Sequence, residues 1–193
     1  AFLSPTPASV LAFIENHDTD RFLGEGQNLA MLKQATTLLL TTRRIPQLYY
    51  GTEIMMNGVK TKSDGYVRCD FPGGWAGDKQ NAFTAEGRTE LQNECYNFYK
   101  TILNWRKGND VIAKGSMTQF MVQNGVYAYA RQYEGKTVFV MLNGTDSETT
   151  LPLKFYKEIL KDTKQGKDIL TGRTISFTED LKMTARESLV IEL

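Results

Sequence analysis

From Val10 to Ile14 the chain is apolar without interruption, and the run breaks at Glu15, Asn16, His17 and Asp18. A short apolar run closed by polar residues predicts a buried strand. After a Gly-containing loop, NLAMLKQATTLLLTT brings Leu29, Leu32, Ala35, Leu39 and Leu40 round at helical spacing. IPQLYYGTE then supplies a second short strand, with Pro46 near its start, where a missing donor does least harm. Strand, helix and strand in this order predict a parallel pair joined by a crossover.

Residues 51–84 show no sustained period, only Gly, Asp and Asn among aromatic residues. Connections of this length are usually functional or disordered, and Tyr66, Phe71, Trp75 and Phe83 argue against disorder. GRTELQNECYNFYKTILNWRK predicts a long helix with Leu91, Cys95, Phe98, Tyr99, Ile102 and Leu103 on one face, stopped by Gly108. Beyond Asn109 the pattern alternates. GVYAYARQYEGKTVFVMLNGT holds strand patterns punctuated by Asn124-Gly125, Glu134-Gly135 and Asn143-Gly144, dipeptides that favour tight hairpins. Further strands are expected near 149–153, 168–170, 174–177 and 188–193. The chain therefore reads as α/β plus all-β, with an antiparallel β-sandwich from 109 to 193 after a first domain over 1–108.

Composition sharpens this picture little. Of 193 residues, 41% are hydrophobic and 23% charged, ordinary for a globular chain. With 23 basic and 22 acidic side chains interleaved, there is no basic footprint for nucleic acid or an anionic membrane, and no stretch has the length of a membrane span. Cys69 and Cys95 are too few for a disulfide scaffold or zinc site, and Cys95 falls on the helical apolar stripe. No cluster at calcium-loop spacing is present, so no metal or cofactor is expected. The opening AFLSPTPASV reads as the middle of something rather than a natural start.

The carboxyl end of a strand in a parallel α/β sheet or barrel opens onto the ligand face, which gives Asn16, His17 and Asp18 their interest. A carboxylate accepting from sugar hydroxyls and an imidazole donating to them could clamp a ring for a positively charged transition state. The same residues could equally cap a turn. VRCDFPGGW adds Arg68 and Asp70 beside Phe71 and Trp75, a mixture suited to a neutral carbohydrate, or else an internal Arg68–Asp70 ion pair in a loop folded on its own aromatics. Asp20 and Arg21 read as a loop ion pair, or as support beneath His17. Glu53 reads as a solvated carboxylate, and Tyr127, Tyr129 and Tyr133 as sheet packing rather than a glycan platform.

FIENHDTDRF closely resembles the fourth signature region of the α-amylase family of glycoside hydrolases, where Asn-His-Asp ends the seventh strand of a (β/α)8 barrel. IPQLYYGTEI resembles that family's eighth strand, and VRCDFPGGWAGD the following loop in neopullulanase and cyclomaltodextrinase-type members. VYAYARQYEGKTVFVMLNGT and DILTGR are similar to its C-terminal β-domain. The resemblance implies that His17 hydrogen-bonds the glucosyl ring beside the scissile bond, with Asn16, Arg68, Asp70 and Trp75 as further substrate contacts. Asp18 would be the third catalytic carboxylate, steadying the oxocarbenium-like transition state. The retaining nucleophile and the acid/base would lie on strands upstream of this chain. A closed barrel takes roughly 250 residues, so the expectation is the last two strand–helix units of an incomplete (β/α)8 barrel, followed by the β-sandwich.

The parent would cleave α-1,4-glucosidic bonds of maltooligosaccharides, cyclodextrins or pullulan, the chain alone being inactive and binding sugar negligibly. An α-glucan oligosaccharide is the expected partner, with a homodimer through the exposed barrel-strand edge. A bacterial periplasm or cytoplasm follows from the resemblance only. The alternative is a non-catalytic glycan-binding or structural module of the same family, binding through Tyr127 or Tyr129.

Overall fold

The computed structural model describes residues 10–193, so the opening segment 1–9 lies outside the described residues. By internal contacts the chain divides into two compact units. One holds the described residues to Leu39 together with Arg44–Lys100, the other Leu40–Arg43 with Thr101–Leu193.

In the first unit, strand β1 (Leu11–Ala12) pairs in parallel with β2 (Ile45–Pro46), Leu11 opposite Ile45. Between them runs α1 (Leu29–Thr41), whose first turn is capped by Asn28 Oδ1 accepting from the Met31 N–H at 3.0 Å. The crossover read from the pattern is present, but β1 covers only two of the five apolar residues Val10–Ile14. Leu11, Phe13 and Ile45 are 52%, 43% and 50% exposed, so that apolar run is not buried among the described residues. Helix α2 (Asp64–Val67) punctuates the long loop. Helix α3 (Glu90–Arg106) opens on a capping box: the Gln92 N–H donates to Thr89 Oγ1, and the Thr89 N–H to Gln92 Oε1. Gly108, at φ +77°, follows its end. Cys95, Tyr99, Leu29, Leu32 and Met55 form the core here. Leu103, assigned to the buried stripe by spacing, is instead 36% exposed.

The second unit begins its sheet after α4 (Asp110–Lys114), capped by Asn109. The strands are β3 (Ser116–Gln119), β4 (Val126–Tyr133), β5 (Lys136–Asn143), β6 (Thr149–Leu151), β7 (Gln165–Asp168), β8 (Thr174–Ser176), β9 (Leu181–Met183) and β10 (Ser188–Glu192). Six form one antiparallel sheet in the order β3-β4-β5-β10-β7-β8, and β6 pairs with β9. One face of the large sheet packs Ala128, Phe139, Met141 and Ile191 with Leu151, Met183 and the helical turns at 153–160. The other packs Tyr129, Val140 and Val190 against Val111 and Ile112. With both faces covered, β4 and β5 are buried almost throughout, which erases the usual alternation.

Glu134-Gly135 makes the expected tight β4–β5 hairpin, both residues at positive φ. Asn143-Gly144 does not close a hairpin. The Asn143 side chain instead donates to the Ser147 and Thr184 carbonyls, organising the connection to β6. The strand expected at 168–170 falls at 165–168, because the buried Asp168 carboxylate accepts from the backbone of Leu170, Thr171 and Val190 and turns the chain. Strands β3 and β9 are additions to the sequence reading.

Candidate functional site

The residues after β1 are shaped by two buried charges. Glu15 and Arg21 are 2% and 1% exposed, with Arg21 Nη1 at 3.3 Å from Glu15 Oε1. The Glu15 carboxylate also accepts from the Phe22 N–H and the Thr52 hydroxyl. Arg21 donates from Nη1 to the Tyr50 carbonyl at 2.7 Å and from Nε to the Val67 carbonyl at 3.0 Å. Its guanidinium lies 4.0 Å from the Tyr49 ring centre and 4.9 Å from that of Tyr50. One side chain thus fastens three places in the sequence: the loop after β1, the turn after β2, and the end of α2. The loop ion pair between Asp20 and Arg21 does not form. Asp20 Oδ1 accepts from the Lys60 N–H at 2.6 Å, and Arg21 turns inward to Glu15 because the guanidinium finds carbonyls and aromatic faces there.

On this base sit His17 and Asp18, both about 60% exposed, with His17 Nε2 at 3.2 Å from Asp18 Oδ2. Asn16 Oδ1 accepts from the Asp18 N–H at 2.8 Å, so Asn16 does cap the turn while His17 and Asp18 face outward. Arg68, just past α2, donates from Nε to the His17 carbonyl at 2.9 Å and from Nη2 to Asp18 Oδ1 at 3.2 Å. Nη2 also lies 3.3 Å from Asp64 Oδ2, and Lys60 Nζ 3.5 Å from Asp64 Oδ1. The cluster therefore brings together Asn16, His17, Asp18 and Arg68 and adds Lys60 and Asp64, which sequence reasoning missed. The i,i+4 spacings of Lys60, Asp64 and Arg68 were the available signal. Exposed ion pairs of this kind hold well under about 1 kcal/mol each, so an incoming polar ligand can exchange for them cheaply.

Asp70 and Trp75 stand apart from this cluster among the described residues. Arg68 pairs with Asp18 and Asp64, not with Asp70, because the turn of α2 puts Asp64 beside it. Trp75 is 67% exposed, its N–H held by Asp78 at 3.1 Å. Glu53 is half-buried as a residue while its carboxylate stays open to solvent, and it lines a cleft with Tyr50, Phe71, Phe83, Arg88 and Tyr96. In the second unit Tyr129 is fully buried and bonded through its hydroxyl to Thr41 at 2.5 Å, so it packs the sheet and cannot offer a face to a glycan. No group of three or more His, Cys, Asp or Glu among the described residues could hold a metal ion, and no helix there is long and apolar enough to cross a membrane.

Comparison with known proteins adds to this geometry. Residues 117–192 match the family described as Cyclo-malto-dextrinase C-terminal domain. An α-amylase of Niallia circulans is 32% identical over 170 residues, 84% of this chain and 29% of that protein. A cyclomaltodextrin glucanotransferase of Bacillus sp. (strain 6.6.3) is 31% identical over 87% of this chain and 22% of its own length. The crystal structure of an Anoxybacillus α-amylase superposes with a TM-score of 0.75 over 98% of this chain and 39% of that one, at 20% identity, a likeness of fold alone. The chain spans less than a third of the length of these two curated relatives.

Proposed function

This chain belongs to the α-amylase family, in its C-terminal portion, and on that premise we propose that it is part of a retaining hydrolase of α-1,4-glucosidic bonds in maltooligosaccharides, cyclodextrins or pullulan. The part before residue 109 supplies the last two strand–helix units of a (β/α)8 barrel, and residues 109–193 the C-terminal β-domain. The observation that carries this reading is the outward-facing His17–Asp18 pair in the loop that follows a strand in parallel pairing, tethered by Arg68.

In this reading His17 donates to a hydroxyl of the glucosyl ring beside the scissile bond. Asp18 accepts from the same ring, and its negative charge favours the oxocarbenium-like transition state over the neutral ground state. Arg68 holds Asp18 in place and shares its charge with Asp64, while Asn16 fixes the turn beneath. Asp70 and Trp75, both exposed, serve as outer contacts to the glucan. The nucleophile and the acid/base are supplied by residues upstream of this chain, so the chain alone turns over no glucan.

The test is Asp18→Asn in the enzyme that carries those upstream carboxylates, assayed on maltooligosaccharides, cyclodextrin and pullulan. A fall in kcat of roughly 10²-fold or more with the fold intact is expected. Unchanged turnover would remove Asp18 from the mechanism, and turnover by the 193-residue chain itself would refute its dependence on upstream groups. Leu11, Phe13 and Ile45 fit burial against neighbouring barrel strands, or against a second copy in this chain alone. Light scattering reads the latter as a dimer, and a strictly monomeric chain argues against it.

A further inference from the structure

The cleft lined by Tyr50, Glu53, Phe71, Phe83, Arg88 and Tyr96 has a volume of about 370 Å³, inside the range of small-molecule sites. It is built entirely within the first unit, from the turn after β2, the loop at 71–83 and the start of α3. Its walls are held in place by contacts of their own. Arg88 donates from Nη1 to the Ala82 carbonyl at 2.9 Å and from Nε to Asn93 Oδ1 at 2.9 Å, and its guanidinium lies 3.9 Å from the Tyr96 ring centre. The Phe71 and Phe83 rings sit 4.6 Å apart at 44°, and the Tyr50 hydroxyl donates to the Cys69 carbonyl at 2.7 Å. Yet Phe83 is 63% exposed and Tyr50 40%, so these rings leave apolar faces open to solvent.

We propose that this cleft is a glucosyl-binding subsite that takes a sugar ring of an α-glucan outside the His17–Asp18 centre. The exposed rings of Phe83 and Tyr50 offer apolar surface to the C–H faces of a pyranose. The half-buried Glu53 carboxylate lines the cleft with no hydrogen bond or ion pair among the described residues and with its oxygens open to solvent, so sugar hydroxyls can replace water there. Glu53 and Arg88 balance in charge, which disfavours a phosphate or a bare cation and suits a neutral ligand. An apolar peptide would cover the rings but leave the carboxylate unpaired. The bond from Tyr50 to the Cys69 carbonyl joins the cleft to the residue after Arg68, and through Arg68 to His17 and Asp18. The ligand class rests on the proposed function, but the cleft needs no upstream residue, whereas the catalytic centre does.

Maltotriose is titrated calorimetrically into the 193-residue chain and into Phe83→Ala, Glu53→Gln and Asp18→Asn variants, each checked by circular dichroism. The wild-type chain should bind, with Phe83→Ala and Glu53→Gln each weakening affinity roughly fivefold. Phe83 is exposed enough that its replacement leaves the core intact. No binding, or binding that both cleft variants leave unchanged, overturns the subsite. Loss only in Asp18→Asn overturns it while keeping the catalytic reading. Affinity that depends on Phe83 and Glu53, alongside turnover indifferent to Asp18 in the longer enzyme, keeps the subsite and removes the catalytic reading.

Discussion

Replacing Arg21 with Met should unfasten the loop that carries His17 and Asp18. The substitution keeps an apolar stem but removes the donors to the Tyr50 and Val67 carbonyls and the only cation beside Glu15 among the described residues. Glu15 would stay buried with two neutral donors, the Phe22 N–H and the Thr52 hydroxyl. Removing one member of a buried pair costs about 3–5 kcal/mol, most of it from the charge left behind. For a unit of under about a hundred residues each kcal/mol moves the midpoint by about 4–8 °C, so the first unit's thermal transition should fall by at least about 12 °C.

Calorimetry on the chain measures this. His17 is the only histidine, so its imidazole resonances report on the loop without ambiguity and should move in Arg21→Met well below the transition. Arg21→Lys should rescue little, since an ammonium lacks the planar fork that reaches three acceptors. The double variant Glu15→Gln/Arg21→Met should recover part of the loss by removing the stranded charge. A drop below about 4 °C in the single variant, with native His17 resonances, would show that the pair does not hold this loop.

Two other predictions concern buried groups. Arg131, 1% exposed, is satisfied wholly by the carbonyls of Thr41, Ile112, Gly115 and Ser116, so Arg131→Met should cost the second unit roughly 3 kcal/mol or more, read by urea unfolding. An unchanged midpoint would mean that those carbonyls find other donors. Burial pushes the Cys95 thiol up to about 12, with Lys33 opposing and Glu53 and Glu94 adding, while Cys69 is exposed. A thiol reagent should therefore modify Cys69 rapidly and Cys95 only on unfolding. The raised folded value means that the unfolded chain ionises first, so stability falls as pH rises from about 9 towards 12, by at most about 1.4 kcal/mol per unit. Cys95→Ala should flatten that alkaline slope, and an unaltered slope would assign it to other groups.

Features that depend on neighbours in sequence were legible before any coordinates. The 3.6-residue spacing of Leu91, Cys95 and Ile102 favours a helix, and Glu134-Gly135 favours a tight turn because Gly135 takes positive φ without a Cβ clash. The Asn-His-Asp at the end of an apolar run marked a polar turn, and His17 and Asp18 are exposed there. Leu103 and the apolar run around Leu11 mark the limit of that reading. Periodicity tells which residues share a face, but exposure depends on what packs against the face.

Pairings between distant residues were not legible. Arg21 beside Glu15, Arg68 on Asp18 and Asp64 rather than Asp70, Glu53 turned into an aromatic cleft and Tyr129 sealed against Thr41 all join segments whose separation carries no local signal. A charge or hydroxyl displaced from water takes whichever partner the fold brings within about 3 Å, and that choice belongs to the folded chain as a whole.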